Sequence, residues 1–190
     1  MISLILLVVL LFLVIGLASY AISIYNGLIR VKLNIEKAWA NIDVILKQRH
    51  DEIPKLVKLC QQYAQYERGT LEKVIALRSQ AMQAVGVGDK AVAEGQLSAA
   101  LGKVFAVAEA YPDLKANVNI AQLQGRISGL ETELADRREL YNESVNIYNI
   151  RIQQFPDGLV ANMMNLAPKE MFKVAEEERQ DVDVNLDLPK

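Results

Sequence analysis

The chain has 190 residues, enough for one domain, and its 21 basic and 23 acidic side chains leave a formal charge of −2, which gives no electrostatic case for nucleic acid. One histidine, His50, is too few for a histidine-bearing di-iron bundle, an HExxH zinc site or a histidine-based triad. One cysteine, Cys60, excludes an internal disulfide. No metal, cofactor or catalytic residue is expected, and enzyme activity is the weakest functional reading.

Residues 1–29 carry no charged side chain. The stretch MISLILLVVLLFLVIGLASYAISIY supplies the roughly 20 apolar residues that a bilayer-spanning helix needs, and its Leu, Ile, Val and Phe content favours insertion by ~5–10 kcal/mol. The rival is a cleaved secretory signal, for which Ser19-Tyr20-Ala21 is a passable site. A missing basic n-region and a longer apolar run favour a retained anchor over residues 1–24. Arg30, Lys32 and Lys37 follow the span directly, so the positive-inside tendency places the bulk of the chain in the cytoplasm. The same basic residues lie where anionic headgroups would be, which makes membrane lipids the first expected partner.

Beyond the anchor the apolar period is helical throughout. Ile35, Trp39, Ile42, Leu46, Ile53, Leu56, Cys60 and Tyr63 step by threes and fours, as one face of an amphipathic helix does. The run keeps its phase across Pro54, which favours one long, kinked helix over a new helix capped by Asp51. Glu67-Arg68-Gly69-Thr70 predicts a turn, and a second helix carries Leu71, Val74, Ile75, Arg78 and Met82 on its inner face. Gly86-Val87-Gly88-Asp89 breaks it; without a preceding strand or the required spacing these glycines form neither a P-loop nor a dinucleotide fingerprint. A third helix is predicted from about Lys90 to Ala110, with Leu97, Leu101, Val104, Phe105 and Ala108 inward. A fourth follows from about Leu114 to Gln154, with Leu123, Ile127, Leu130, Leu134, Tyr141, Val145, Tyr148 and Ile152 in one stripe. The fold class is therefore all-α, a single N-terminal transmembrane helix followed by a long antiparallel four-helix bundle over residues 25–155.

At 1.5 Å per residue the first helix beyond the membrane and the fourth each run about 60 Å, and the second and third about half that. Helices one and four would then stand as a bare pair near the bilayer, apolar on more than one side. Leu140, Ile147 and Ile150 make a second row on one, and Leu33, Ala40 and Val44 a second row on the other. Exposed apolar surface of that extent marks an association site, which makes homo-oligomerisation the expectation. A break at Pro54 would complete the bundle and remove it.

Three Tyr-Asn pairs, Tyr25-Asn26, Tyr141-Asn142 and Tyr148-Asn149, mark the same region, and Phe155 continues the row seven residues on. The tyrosines read as core residues, or as headgroup-zone residues with a half-buried ring and a wet hydroxyl. The asparagines are candidates for hydrogen bonds between helices that fix register. Residues 156–172 hold Leu159, Val160, Met163, Met164 and Leu166, an apolar underside that can lie on lipid or pack beneath the bundle. Arg49 falls in an apolar stripe and needs an acid, with Glu131 or Glu133 as candidates, whereas His50 sits among charges and reads as solvated. The acidic tail, 173–190, ends in alternating DVDVNLDL at 181–188; it is either disordered or a strand that docks on a partner protein or a neighbouring copy.

Several of these blocks, in order and spacing, resemble the LemA family of bacterial membrane proteins. They are Tyr25-Asn26-x-Leu28; Trp39 with Ile42-Asp43-Val44, Leu46-Lys47 and Arg49; Asp51-x-Ile53-Pro54-x-Leu56-Val57; Tyr63 and Glu67; Tyr111-Pro112-Asp113-Leu114-Lys115-Ala116-Asn117; Glu131; Arg138; Tyr141-Asn142; Tyr148-Asn149; and Phe155-Pro156. The match runs from the anchor to about Phe172, with the tail outside it. The resemblance implies an N-terminal transmembrane helix with a helical bundle behind it, and it transfers no catalytic residue. Two functions fit best: a membrane-anchored, self-associating scaffold that organises or shapes the membrane, or an anchored adaptor that recruits a partner protein through its distal bundle or tail.

Overall fold

A computed structural model describes residues 1–63, 66 and 68–173, so the tail stretch 181–188 and Glu67 lie outside the described residues. The described residues form six helices and no strand: α1 (Ile2–Cys60), α2 (Arg68–Gln83), α3 (Val87–Ala110), α4 (Pro112–Lys115), α5 (Val118–Arg151) and α6 (Asp157–Met163). The described residues divide into two compact units, one of Met1–Val44 with Leu134–Met171 and one of Ile45–Glu133 with Phe172 and Lys173.

The second unit holds the broader core. Ile53, Leu56 and Cys60 of α1 join Leu71, Val74 and Ala81 of α2, Leu97, Leu101 and Val104 of α3, and Ile120 and Ile127 of α5 in one cluster. Each fully buried Leu or Ile contributes about 1.5–3 kcal/mol relative to exposure. Ile75 and Met82, expected on the inner face of α2, are exposed; the buried row runs Leu71, Val74, Ala81 instead, so the small residue marks the close approach.

Pro54 lies inside α1 without ending it. A proline has no N–H, so the carbonyl four residues earlier, on His50, loses its helical donor. Arg78 of α2 supplies a replacement: its Nε donates to the His50 carbonyl oxygen at 2.7 Å. The predicted turn at 67–70 falls earlier, because Arg68, Gly69 and Thr70 already belong to α2, and Gln62 and Tyr63 make the turn hydrogen bonds. Likewise α3 starts at Val87. Of the two glycines in this turn Gly86 adopts a positive φ, of 88°, while Gly88 and Asp89 sit in the first turn of α3, where the acid complements the helix dipole.

The predicted fourth helix is divided in two, and Asn117 is the reason. Its Oδ1 accepts from the backbone N–H groups of Asn119 and Ile120 at 3.0 and 3.1 Å, an N-cap that starts α5 afresh. The same side chain donates through Nδ2 to the Tyr63 hydroxyl, tying the cap to the chain following α1.

In the anchor-bearing unit, residues of the apolar run are exposed up to Ser23, and the first buried positions are Ile24 and Leu28. Leu28, Ile35 and Ile42 recur every seven residues on α1, as do Leu134, Tyr141 and Tyr148 on α5, and all six are buried. Val145 and Ile152 complete the α5 seam. A helix with an 18-residue window of mean hydropathy 3.1 is long and apolar enough to cross a membrane and fits a single-pass anchor.

After α6 the chain reverses. Asn165 takes φ 51°, the left-handed conformation that asparagine tolerates better than other side chains. The N–H of Leu166 bonds the Ala161 carbonyl at 3.0 Å and that of Asn165 bonds Asn162 at 3.1 Å, the paired pattern of a Schellman motif. Residues 166–171 then lead away as a non-helical strap.

Candidate functional site

The Tyr-Asn pairs on α5 hold this strap. The Tyr148 hydroxyl donates to the Ala167 carbonyl at 3.2 Å, and the Tyr141 hydroxyl donates to the Glu170 carbonyl at 2.9 Å. Between them Asn149 acts as a piece of backbone: its Nδ2 donates to the Lys169 carbonyl at 2.9 Å, and its Oδ1 accepts from the Lys169 N–H at 2.8 Å. Rising strap numbers meet falling helix numbers, so the strap runs antiparallel to α5. The Trp39 and Tyr141 rings meet at 5.3 Å between centroids and 60° between planes, so α1 contributes to the same cluster.

Of the two readings of Tyr141 and Tyr148 the core one fits: both residues are buried, and burial pushes both phenols above their ordinary value, with the Glu170 charge adding to the rise at Tyr141. Two other expectations are corrected here. Asn149 bonds the strap rather than another helix, and residues 156–172 are a short helix plus this strap rather than one amphipathic underside. Only Leu159 and Met163 of the expected lipid-facing set are strongly exposed. Hexapeptide 166–171 has no helical period to reveal it, and its bonds run through main-chain atoms.

Of the remaining expected site residues, Asn142 is half-buried and Asn26 exposed, as are Tyr25, Ile147 and Phe155. Leu140, Ile150, Leu33 and Val44 are exposed with them, so the second apolar rows on both helices face outward. Nothing in this unit covers them.

The second unit contains a buried polar cluster. Arg49 is fully buried, bonded through Nη2 to Glu94 of α3 and through Nη1 to Glu131 of α5. Ser98 bridges, accepting from Arg49 at 2.9 Å and donating to Glu131 at 3.0 Å. Glu131 is thus the acid that meets Arg49, while Glu133 stands half-buried one turn-fraction away. His50 is buried rather than solvated, its Nε2 3.0 Å from Glu94 Oε1. The sequence reading missed α3's approach to it. Burial by itself would raise the Glu94 carboxyl, but the His50 hydrogen bond and the Arg49 charge outweigh that and hold it below the ordinary carboxylate value. Nearby, Glu52 is buried between Arg126 at 3.2 Å and Lys55 at 3.0 Å. The carboxylates in this cluster are spent on cations, and no group of three His, Cys, Asp or Glu side chains poised for a metal exists among the described residues. Burial likewise raises the Cys60 thiol, which keeps it protonated.

The sequence pattern of the LemA family matches residues 38–186. The chain belongs to the LemA family. The match reaches well into the acidic tail, which corrects the expectation that the tail falls outside the shared pattern. Protein LemA of Metamycoplasma hominis is 29% identical over 162 residues, covering 84% of this chain and 74% of that protein. Magnetosome protein MamQ 1 of Paramagnetospirillum magneticum is 24% identical over 176 residues, and magnetosome protein MamQ of Magnetospirillum gryphiswaldense 23% over 174. Each match covers 78% of this chain and 64% of the relative, so the chain spans just under two thirds of these two magnetosome proteins.

Proposed function

We propose that this protein is a membrane-anchored, self-associating scaffold whose copies meet through the anchor-bearing unit and organise the membrane beneath them. One observation carries the reading: beyond the span, Leu33 and Val44 of α1 and Leu140, Ile147 and Ile150 of α5 are each between 46% and 55% exposed. A helix pair with a buried seam has no need of apolar rows on its outside, and a partner of like character would remove them from water at about 25 cal/mol per Å². The bulk of the chain lies on the cytoplasmic side, on the strength of Arg30, Lys32 and Lys37 directly after the span. No catalytic step enters the proposal.

The test is the mass of the intact chain in mild nonionic detergent, by light scattering after size exclusion. Wild type should run as a multimer, and Leu140→Ser with Ile147→Ser and Ile150→Ser should run as a smaller species with unchanged helicity. A wild-type monomer would end the scaffold reading. Tyr148→Ala is unsuitable for this purpose, because Tyr148 is buried within its own chain and holds the strap.

A further inference from the structure

A cleft of about 510 Å³ opens beside the end of the apolar span, with Ile22, Ser23, Asn26, Gly27 and Arg30 of α1 on one side and Arg151 of α5 on the other. Its residues run from hydrocarbon depth to the headgroup zone: a bilayer core takes about 20 helical residues, which places Ile22 near the acyl boundary and Arg30 about 12 Å further out.

Arg151 is held in place rather than free to swing. Its Nε donates to Asp157, and the Nη edge of its guanidinium packs against Gly27, where an added Cβ would come within 2.9 Å of Cζ and closer still to Nη2. The bond to Asp157 engages the Nε edge. The two Nη groups rest on the glycine at the cleft. Arg30 is exposed at the same opening, and Asn26 and Ser23 add neutral polar groups. Arg30 and Arg151 together with Asp157 leave one net positive charge, the complement of a single phosphodiester.

The surroundings fit a lipid source for that phosphate. Phe155 is 80% exposed, and Leu159 and Met163 project outward as well. They follow Arg151 on the stretch of chain that returns beside the span. We propose that this cleft binds the phosphodiester headgroup of an anionic phospholipid, with Arg30 and the Nη face of Arg151 on the phosphate oxygens and the acyl chains along Ile22 and the span. A planar, pinned guanidinium suits this task because it donates two parallel hydrogen bonds in a fixed direction. Zwitterionic lipid is disfavoured, since its cationic head would face two arginines. The site occupies one chain and does not depend on self-association.

The experiment is native mass spectrometry of the full chain in nonionic detergent, titrated with dioleoyl phosphatidylglycerol or dioleoyl phosphatidylcholine. Wild type should retain the anionic lipid with about tenfold preference, and Arg30→Gln and Arg151→Gln should each weaken it about tenfold, the size of one charge-assisted hydrogen bond. Gly27→Ala keeps every charge and displaces only the guanidinium, so it should weaken retention too. Lys103→Gln, a change of equal charge on α3, should not. Trp39 emission confirms that each variant keeps the α1 and α5 pairing. Equal retention of both lipids would overturn the proposal, as would undiminished binding in both Arg30→Gln and Gly27→Ala, or an equal loss in Lys103→Gln. Displacement of the lipid by 10 mM inorganic phosphate would assign the site to free phosphate and overturn its lipid source.

Discussion

The two units solve the problem of holding α1 and α5 in opposite ways. In the second unit, four helices enclose an aliphatic cluster and register is set by ions: one guanidinium bonded to acids from two other helices. In the anchor-bearing unit, two helices share a narrow seam with Trp39 of α1 against Tyr141 of α5, and neutral side chains of α5 bond a backbone strap. The difference teaches where each unit can be altered. Buried charge is intolerant of losing a partner, whereas hydrogen bonds to main-chain atoms fail singly and by small amounts.

The contrast is sharpest at Arg49. Arg49→Met leaves Glu94 buried without its cation and should destabilise the second unit by about 3–5 kcal/mol; adding Glu94→Leu should recover most of the loss, since the burden is the uncompensated charge. Thermal unfolding followed by circular dichroism measures this, and Trp39, the sole tryptophan, reports separately on the anchor-bearing unit. If the Trp39 transition moves as far as the helical one, the two units melt as one and the contrast fails.

The same cluster sets a pH dependence. The folded Glu94 carboxyl titrates below its ordinary value of 4.5, so its ionised form contributes stability that is complete above that pH and is lost as pH falls through the lower folded value. Wild type should therefore lose stability on acidification in that range, and Glu94→Gln should flatten the loss while being less stable at neutral pH.

Smaller effects belong to the strap. Tyr148→Phe removes one hydrogen bond to a carbonyl and should cost about 1 kcal/mol, visible in the Trp39 transition rather than in the helical one. Asn117→Ala should cost a similar amount, about 1 kcal/mol, but in the second unit, because it removes the N-cap of α5. Reversal of these two assignments would show that the units do not respond separately.

Much of this was legible beforehand. The uncharged run over residues 1–29 announced the span, and threes and fours located Ile35, Ile42, Leu46, Ile53, Leu56 and Cys60, all of which are buried. Arg49 in an apolar stripe implied an acid, and Glu131 is one. Glu94 was also readable, since Glu94, Leu97, Leu101, Val104 and Ala108 form one series of steps, but an acid on an inward face looks like a surface residue until a cation is placed opposite. Asn117 carried an N-cap signal hidden by a period that continues on both sides. The strap left no trace at all. Its partners are backbone atoms, and nothing in the residues 166–171 states which carbonyls the tyrosines will reach.

That last property separates spelling from length. Ala167, Lys169 and Glu170 bond Tyr148, Asn149 and Tyr141 through their peptide groups, so exchanging their side chains leaves those bonds in place, with the Glu170 charge beside Tyr141 the one side-chain influence lost. Deleting any one of them slides every later carbonyl past its donor, and a single-residue gap there does more harm than three substitutions.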